Sequence, residues 1–148
     1  LQIVLPSKRF GYLVHKFDVD QDFANLANEI LPELNTGITR LVIKKEVIDE
    51  KDVKGNPGLK MAIEAAKGQP GEPQMYKRNQ LSNEISNIIA IDDTIVIKTL
   101  VALHVDREGN EIPMDLEAES DGTRRLIEYM PLLYSVTAYE RGWCVYCR

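Results

Sequence analysis

Two short stretches of the chain carry residue types that could do chemistry. The first is RGWCVYCR, residues 141–148, which holds the single Trp and both Cys residues of the sequence. Its W-C-x-x-C pattern is typical of the start of a thioredoxin-type redox site. The second is ESDGTRR, residues 119–125, a polar stretch that contains a glycine and precedes an amphipathic pattern. The first stretch suggests redox or metal chemistry, and the second suggests binding of an anion.

The Cys pair fits neither redox nor zinc chemistry well. A thioredoxin-type site needs a helix after its second Cys, but only Arg148 follows Cys147. A structural zinc needs four ligands, and the two histidines, His15 and His104, are far away in sequence and lie in strand-like runs. We therefore expect no redox or metal site at the Cys pair. We expect His104 to be a hairpin residue with a structural hydrogen bond.

The ESDGTRR stretch has two interpretations. The free backbone N–H groups and the dipole of a helix N-terminus favour an anion. Ser120 would add a hydroxyl donor, and Gly122 would let a phosphate oxygen approach the backbone closely. Alternatively, Ser120 simply caps the helix, with Gly122 in its first turn. The spacing of these residues does not decide between the two interpretations.

Length and composition set the class of protein. A chain of 148 residues with 44% apolar and 28% charged residues is typical of one globular domain, or part of one. The sequence has no apolar run of the roughly 20 residues that span a bilayer and no signal-peptide pattern at its start, so we expect a cytoplasmic protein without a membrane partner. The net charge of -5 gives no support to a nucleic-acid partner, which would need a local basic patch.

The first half of the chain predicts a helix followed by a strand. Apolar residues recur at helical spacing over residues 20–31, with Asp20 as the N-cap and Pro32 as the stop. After the turn Asn35-Thr36-Gly37, residues 38–47 are alternating and β-branched, which favours a strand.

The second half predicts a helical insertion, a hairpin and a final helix. Residues 50–90 are polar and broken by Gly and Pro, and we predict a helical insertion or lid there, with helices over 59–67 and 74–89. Residues 94–105 and 112–117 predict two strands joined by a turn at Gly109-Asn110. A helix follows over 121–135, with Leu126, Met130, Leu133 and Tyr134 on one face.

Two segments resemble a known family. The run GNEIPMDLEAESDGTRRLIEYMPLLYS, residues 109–135, is similar to the signature segment of AAA-type ATPases with an ABC/SMC-like head, the abortive-infection-like family of P-loop NTPases. The run LPELNTGITRLVI, residues 31–43, is similar to the strand entry of the same family. The resemblance implies an α/β fold in which residues 1–148 are part of an ATPase domain, and residues 94–135 are its hairpin and signature helix.

The resemblance also implies a shared nucleotide site. In such heads the signature loop of one subunit closes over the γ-phosphate of ATP held by the other subunit, so Ser120 and the N–H of Gly122 would contact the phosphate across a homodimer. Asp121 and Thr123 stand where the ABC signature has Gly and Gln. A carboxylate facing a triphosphate would be repelled, so Asp121 must point away or be neutralised by Arg124 or Arg125. These two arginines could equally be solvated surface charges of the helix.

Most of an ATPase is absent from this sequence. It contains no G-x-x-x-x-G-K-[ST] loop and no apolar strand ending in Asp-Glu, which would bind ATP and Mg²⁺ in an intact family member. We therefore expect this chain alone to be inactive, and we expect an upstream lobe to be missing because the chain begins at Leu1. Codons for WCVYCR, residues 143–148, can be chosen that spell Gly-Val-Phe-Ile-Val when they are read one nucleotide later, which suggests a frameshifted Walker B strand.

A second hypothesis belongs to another class of protein. The chain could be a small, non-enzymatic α+β module in which ESDGTRR only caps a helix and the polar insertion binds a protein partner. An encoded Walker A loop upstream of this sequence would separate the two hypotheses.

Overall fold

The computed structural model describes residues 10–77 and 85–140. The described residues form four α-helices and five β-strands. The helices are α1 (Phe10–Val19), α2 (Gln21–Glu33), α3 (Pro57–Gly68) and α4 (Asp121–Glu140). The strands are β1 (Ile38–Ile48), β2 (Gln74–Lys77), β3 (Ile85–Ile91), β4 (Thr94–Val105) and β5 (Glu111–Asp115). The chain therefore has a mixed α/β fold, which confirms the coarse prediction of fold class.

The strand β4 organises the sheet. Along one edge it pairs with β1 over nearly its whole length, from Ile38 opposite His104 to Ile48 opposite Ile95. Its other edge is shared, because β3 pairs with its first half and β5 with its second half. The strand β2 then extends the sheet beyond β3. All of these pairings are antiparallel.

Two hairpin turns fix the register around β4. Asp92 and Asp93 join β3 to β4 with φ values of 46° and 61°, as a two-residue type I′ turn requires. The β4 to β5 loop turns at Gly109, whose φ is 88°, and Asp106 accepts backbone N–H bonds from Glu108 and Asn110. The predicted 94–105 hairpin with its turn at Gly109-Asn110 is confirmed. Its second strand ends earlier than predicted because residues 116–118 form a 3-10 turn.

The helices cover the two faces of the sheet at different places. Because side chains alternate along a strand, Leu100 and Ala102 of β4 face one way and Ile95 and Ile97 face the other. The first face packs against α1, α2 and α4 in a core whose fully buried members include Phe23, Leu31, Leu41, Ile127 and Met130. The second face packs against α3 through Leu59, Ile63 and Ala66. The residues predicted as an insertion thus contribute α3 and two strands of the sheet.

Local signals explain where the predicted helices begin. The Asp20 side chain accepts the backbone N–H of Phe23 at 2.9 Å, which is the geometry of an N-cap. In α3, Asn56 caps the helix through the N–H of Leu59, and Pro57 occupies the first turn. The helix predicted over 20–31 is confirmed as α2, although it continues through Pro32 to Glu33. The strand predicted over 38–47 and the helix over 59–67 are confirmed as well.

Two predictions were wrong. The helix predicted over 74–89 is wrong at both described ends, because residues 74–77 form β2 and residues 85–89 belong to β3. The run ISNIIAI is rich in β-branched residues, and the type I′ turn after it folds it onto β4. His15 lies in the helix α1 and not in a strand, because Leu13, Val14 and Phe17 are buried together on one helix face. Burial of this face in the core outweighs the strand propensity of the valines and aromatics in α1.

An ion cluster joins α1 to the sheet. Lys45 and Lys98 lie directly opposite each other on β1 and β4, which would be unfavourable for two like charges alone. The carboxylate of Asp18 accepts a hydrogen bond from Lys98 at 2.5 Å and lies 3.6 Å from Lys45. Burial raises the pKa of Asp18, but the hydrogen bonds and charges of the two lysines outweigh this effect and hold the pKa below its usual 3.8.

Asp18→Asn is expected to remove a pH-dependent part of the stability. A carboxylate whose pKa is lowered by folding stabilises the native state above its unfolded pKa, and this contribution is lost as the pH falls below about 3.8 through the folded pKa. At pH 6 the variant should be less stable by about 1–3 kcal/mol, since a charged hydrogen bond is lost. Urea unfolding at pH 6 and pH 3 measures the difference, which should shrink at pH 3. Asp115→Asn, at an exposed carboxylate, is the matched control; an equal effect there would contradict the assignment.

Candidate anion-binding site at the start of α4

The residues of ESDGTRR lie where the sheet passes into α4. After β5, residues 116–118 form a 3-10 turn, and α4 begins at Asp121. The Ser120 Oγ accepts the backbone N–H of Thr123 at 3.1 Å and shares a 2.9 Å hydrogen bond with the Thr123 hydroxyl. The Ser120 carbonyl accepts the N–H of Arg124 at 2.9 Å. Ser120 is therefore the N-cap of α4, as the capping interpretation expects.

The first turn of α4 is open to solvent. Ser120, Asp121 and Gly122 are all exposed. A Cβ placed on Gly122 would meet only the Ser120 Oγ, at 3.9 Å, which is ordinary van der Waals contact. In an α-helix the N–H groups of the first turn have no carbonyl partner within the helix, and the cap uses that of Thr123. The N–H groups of Asp121 and Gly122 thus lie at an accessible, electropositive helix end.

Arg124 is engaged with acidic neighbours on the same helix. Its guanidinium donates to the Asp121 carboxylate, three residues earlier. If the loop faces a triphosphate, the Asp121 carboxylate must point away or be neutralised by an arginine. This pair is the second of these two arrangements. Burial raises the pKa of Glu128, and the charges of Arg124 and Arg125 offset this only in part. Arg125 itself is exposed.

The start of α4 is tied to the central strand by His104. The Nε2–H of His104, on β4, donates to the Glu119 carboxylate at 2.5 Å, and the Glu119 side chain is only 7% exposed. Gly37 packs against the same imidazole, where a Cβ would lie 3.5 Å from Nδ1, and its φ of 79° favours glycine. The predicted structural hydrogen bond of His104 is confirmed. Its partner immediately precedes Ser120, so β4 positions the loop.

The predicted site residues lie next to one another at the start of α4, and their side chains contact one another in pairs. Ser120 contacts Thr123, Asp121 contacts Arg124, and Gly122 lies beside Ser120. The Cys pair and the tail over 143–148 lie outside the described residues. Within 10–77 and 85–140, no group of three or more His, Cys, Asp or Glu side chains could hold a metal ion. No helix in these same ranges is long and apolar enough to cross a bilayer.

Sequence reasoning missed one concave surface. A cavity of about 580 Å³ lies between the 3-10 turn at Glu50–Val53 and the helix α3. The only signal in the sequence was the presence of lysines on both sides of the Asn56-Pro57 helix start, which is an unusual place for positive charge.

Comparisons with known proteins do not assign the chain to a family. No protein-family model, no curated protein and no solved structure matches it.

Proposed function

We propose that the chain is part of an ABC/SMC-like P-loop ATPase head and that its ESDGTRR loop contacts the γ-phosphate of ATP bound by a second subunit. The observation that carries this proposal is the exposed first turn of α4, where Ser120 and Gly122 lie beside each other at a positive helix end. The choice of the γ-phosphate of ATP as the anion rests on the resemblance of residues 109–135 to the signature segment of these ATPases. The intact protein would be a cytoplasmic homodimeric ATPase.

The chain's own residues have limited roles in this proposal. The N–H of Gly122 and the hydroxyl of Ser120 would bind phosphate oxygens, and the His104–Glu119 hydrogen bond would hold the loop in place for them. The pairing of Arg124 with Asp121 reduces the repulsion between that carboxylate and the triphosphate. ATP and Mg²⁺ would be held by Walker residues that lie outside residues 1–148, which is why this chain alone should not hydrolyse ATP.

One observation favours the second candidate, a non-enzymatic binding module. The Ser120 Oγ already makes the hydrogen bonds of a helix cap, and a cap accounts for Ser at this position without any ligand. In this case the loop has no phosphate to bind, and the partner-binding surface lies elsewhere in the molecule.

Sequencing the DNA that flanks the coding region tests the first proposal. We expect an upstream G-x-x-x-x-G-K-[ST] motif following a strand, and a shifted reading frame after codon 142 that encodes an apolar strand ending in acidic residues. Isothermal titration of the isolated chain with MgATP should show almost no binding. Flanking DNA without a Walker A motif, or tight ATP binding by the isolated chain, would contradict the proposal.

A further inference from the structure

The cavity beside α3 combines an apolar floor with a positively charged rim. Val53, Pro57 and Ile63 supply the apolar wall, and Ile63 is buried in the core below. The charged lining residues are exposed and are positive on balance; they are Lys54, Lys60, Glu64 and Lys67. The volume of about 580 Å³ is within the range of sites that hold a ligand or an anchoring side chain. The cavity is separate from the ESDGTRR loop, because α3 packs on the opposite face of the sheet from α4.

Lys54 and Lys60 gain nothing from the dipole of α3. A helix N-terminus favours negative charge, yet the first turn of α3 contains no acidic residue and Lys60 lies near its beginning. Lys60 has Glu64 as its neighbour one turn later, but the charged atoms are 4.0 Å apart, both side chains are more than half exposed, and Lys before Glu is the weaker order. Residues that break a local rule without a structural gain are typical of functional surfaces.

A flexible apolar side chain lies beside the cavity. Met61 is 70% exposed on α3, one turn after Pro57 and one turn before Glu64, both of which line the cavity. Exposed methionines are common on surfaces that bind peptide segments, because the unbranched side chain adapts to different apolar partners. We call the apolar wall together with Lys54 and Lys60 the α3 groove, and Met61 lies next to this groove on the helix.

We propose that the α3 groove binds an amphipathic segment of a partner protein, with apolar side chains against Val53, Pro57 and Ile63 and acidic side chains against Lys54 and Lys60. Charge complementarity selects this occupant, since an acidic segment is attracted to the lysines and to the positive end of α3. The apolar wall adds the contact area that a purely ionic ligand would leave exposed to water. This proposal does not depend on the nucleotide proposal.

The test uses the whole chain and two synthetic peptides with the same leucine pattern. One peptide carries Glu at every polar position, and the other carries Lys. Titration of the ¹⁵N-labelled chain, followed by NMR, should show the Glu peptide shifting the amide signals of residues 53–67, and the Lys peptide should leave them unchanged. Signals at residues 119–125 should not move, which separates this result from any failure of the nucleotide proposal.

Charge-neutralising variants complete the test. Lys54→Gln with Lys60→Gln should weaken binding of the Glu peptide by roughly three- to tenfold, as expected for two exposed charge contacts. The thermal midpoint should change little, because α3 loses no favourable interaction with its dipole and the Lys60–Glu64 pair is solvent-exposed. The control pair Lys44→Gln with Arg107→Gln removes the same charge from other exposed positions and should not weaken binding. Equal weakening by both pairs, or shifts of residues 53–67 by a single-stranded oligonucleotide but not by the Glu peptide, would overturn the proposal.

Discussion

Ser120→Asp is expected to lower the kcat of the proposed ATPase by about 100-fold while leaving α4 intact. Asp is as good an N-cap as Ser, so the hydrogen bond to the N–H of Thr123 is kept. The substitution replaces a donor to the proposed γ-phosphate by a negative charge, and loss of one preorganised donor alone is worth about 100-fold or more in kcat. Steady-state ATP hydrolysis measures this effect, in a protein that carries the proposed upstream Walker A region and has the Walker B reading frame restored.

Ser120→Asn is the matched control for charge. Asn also caps a helix, but it is neutral and its amide can donate to an oxygen. We expect this variant to retain much more activity than Ser120→Asp, and we expect both variants of the isolated chain to unfold at nearly the wild-type temperature. If both variants hydrolyse ATP at the wild-type rate, Ser120 serves only as a cap and the phosphate contact is wrong. If both lose activity equally, charge at this position is not the cause.

Phe23→Ala is expected to lower the free energy of unfolding by about 3–5 kcal/mol. Phe23 is 1% exposed and makes edge-to-face contacts with Phe17 of α1 and Tyr134 of α4, with ring centroids 6.1 and 5.6 Å apart. The Lys16 ammonium lies 5.2 Å from the Phe23 ring and 4.9 Å from the Tyr134 ring, which adds a cation–π contribution. Alanine leaves a cavity where three helices meet, and a loss of this size is a large part of the total stability of a typical domain.

Chemical unfolding followed by circular dichroism measures this loss. Tyr12→Ala removes an aromatic ring from α1 where it is 56% exposed, and it should change the free energy of unfolding by less than about 0.5 kcal/mol. Phe23→Leu retains most of the buried volume and should cost clearly less than Phe23→Ala. A Phe23→Ala variant as stable as Tyr12→Ala would mean that α1, α2 and α4 do not pack around this ring.

The elements that sequence reasoning found are those with strong local signals. Asp20 marks the start of α2 and Gly109 marks the β4 to β5 turn, because each residue type satisfies a specific backbone requirement. The start of α3 was predicted at residue 59, although Pro57 already occupies its first turn. Cap chemistry also gave Ser120 as the N-cap of the last helix, as one of two interpretations. The alternative roles of Ser120 were not separable from sequence, since a cap and an anion site need the same residue.

The elements that were missed have conflicting local signals or depend on distant contacts. In α1, the apolar residues Phe10, Leu13, Val14 and Phe17 recur at helical spacing, but the valines and aromatics of the segment favour β-structure. The strand β3 was missed because Asp92-Asp93 is a rarer turn pair than Asn-Gly. A structural hydrogen bond of His104 was expected from the sequence. Its acceptor, Glu119, was not predicted, because it lies after β5 on a different part of the chain.

The position of β4 has a consequence for how the protein is made. Since β1, β3 and β5 all pair with this one strand, β1 leaves the ribosome long before its partner, with α3, β2 and β3 translated in between. At about 5–20 residues per second, the nascent chain carries β1 with an unsatisfied edge for seconds. Chaperone binding to ribosome-attached intermediates should therefore be strongest when the chain has emerged up to just before Thr94, and it should fall once Val105 has emerged.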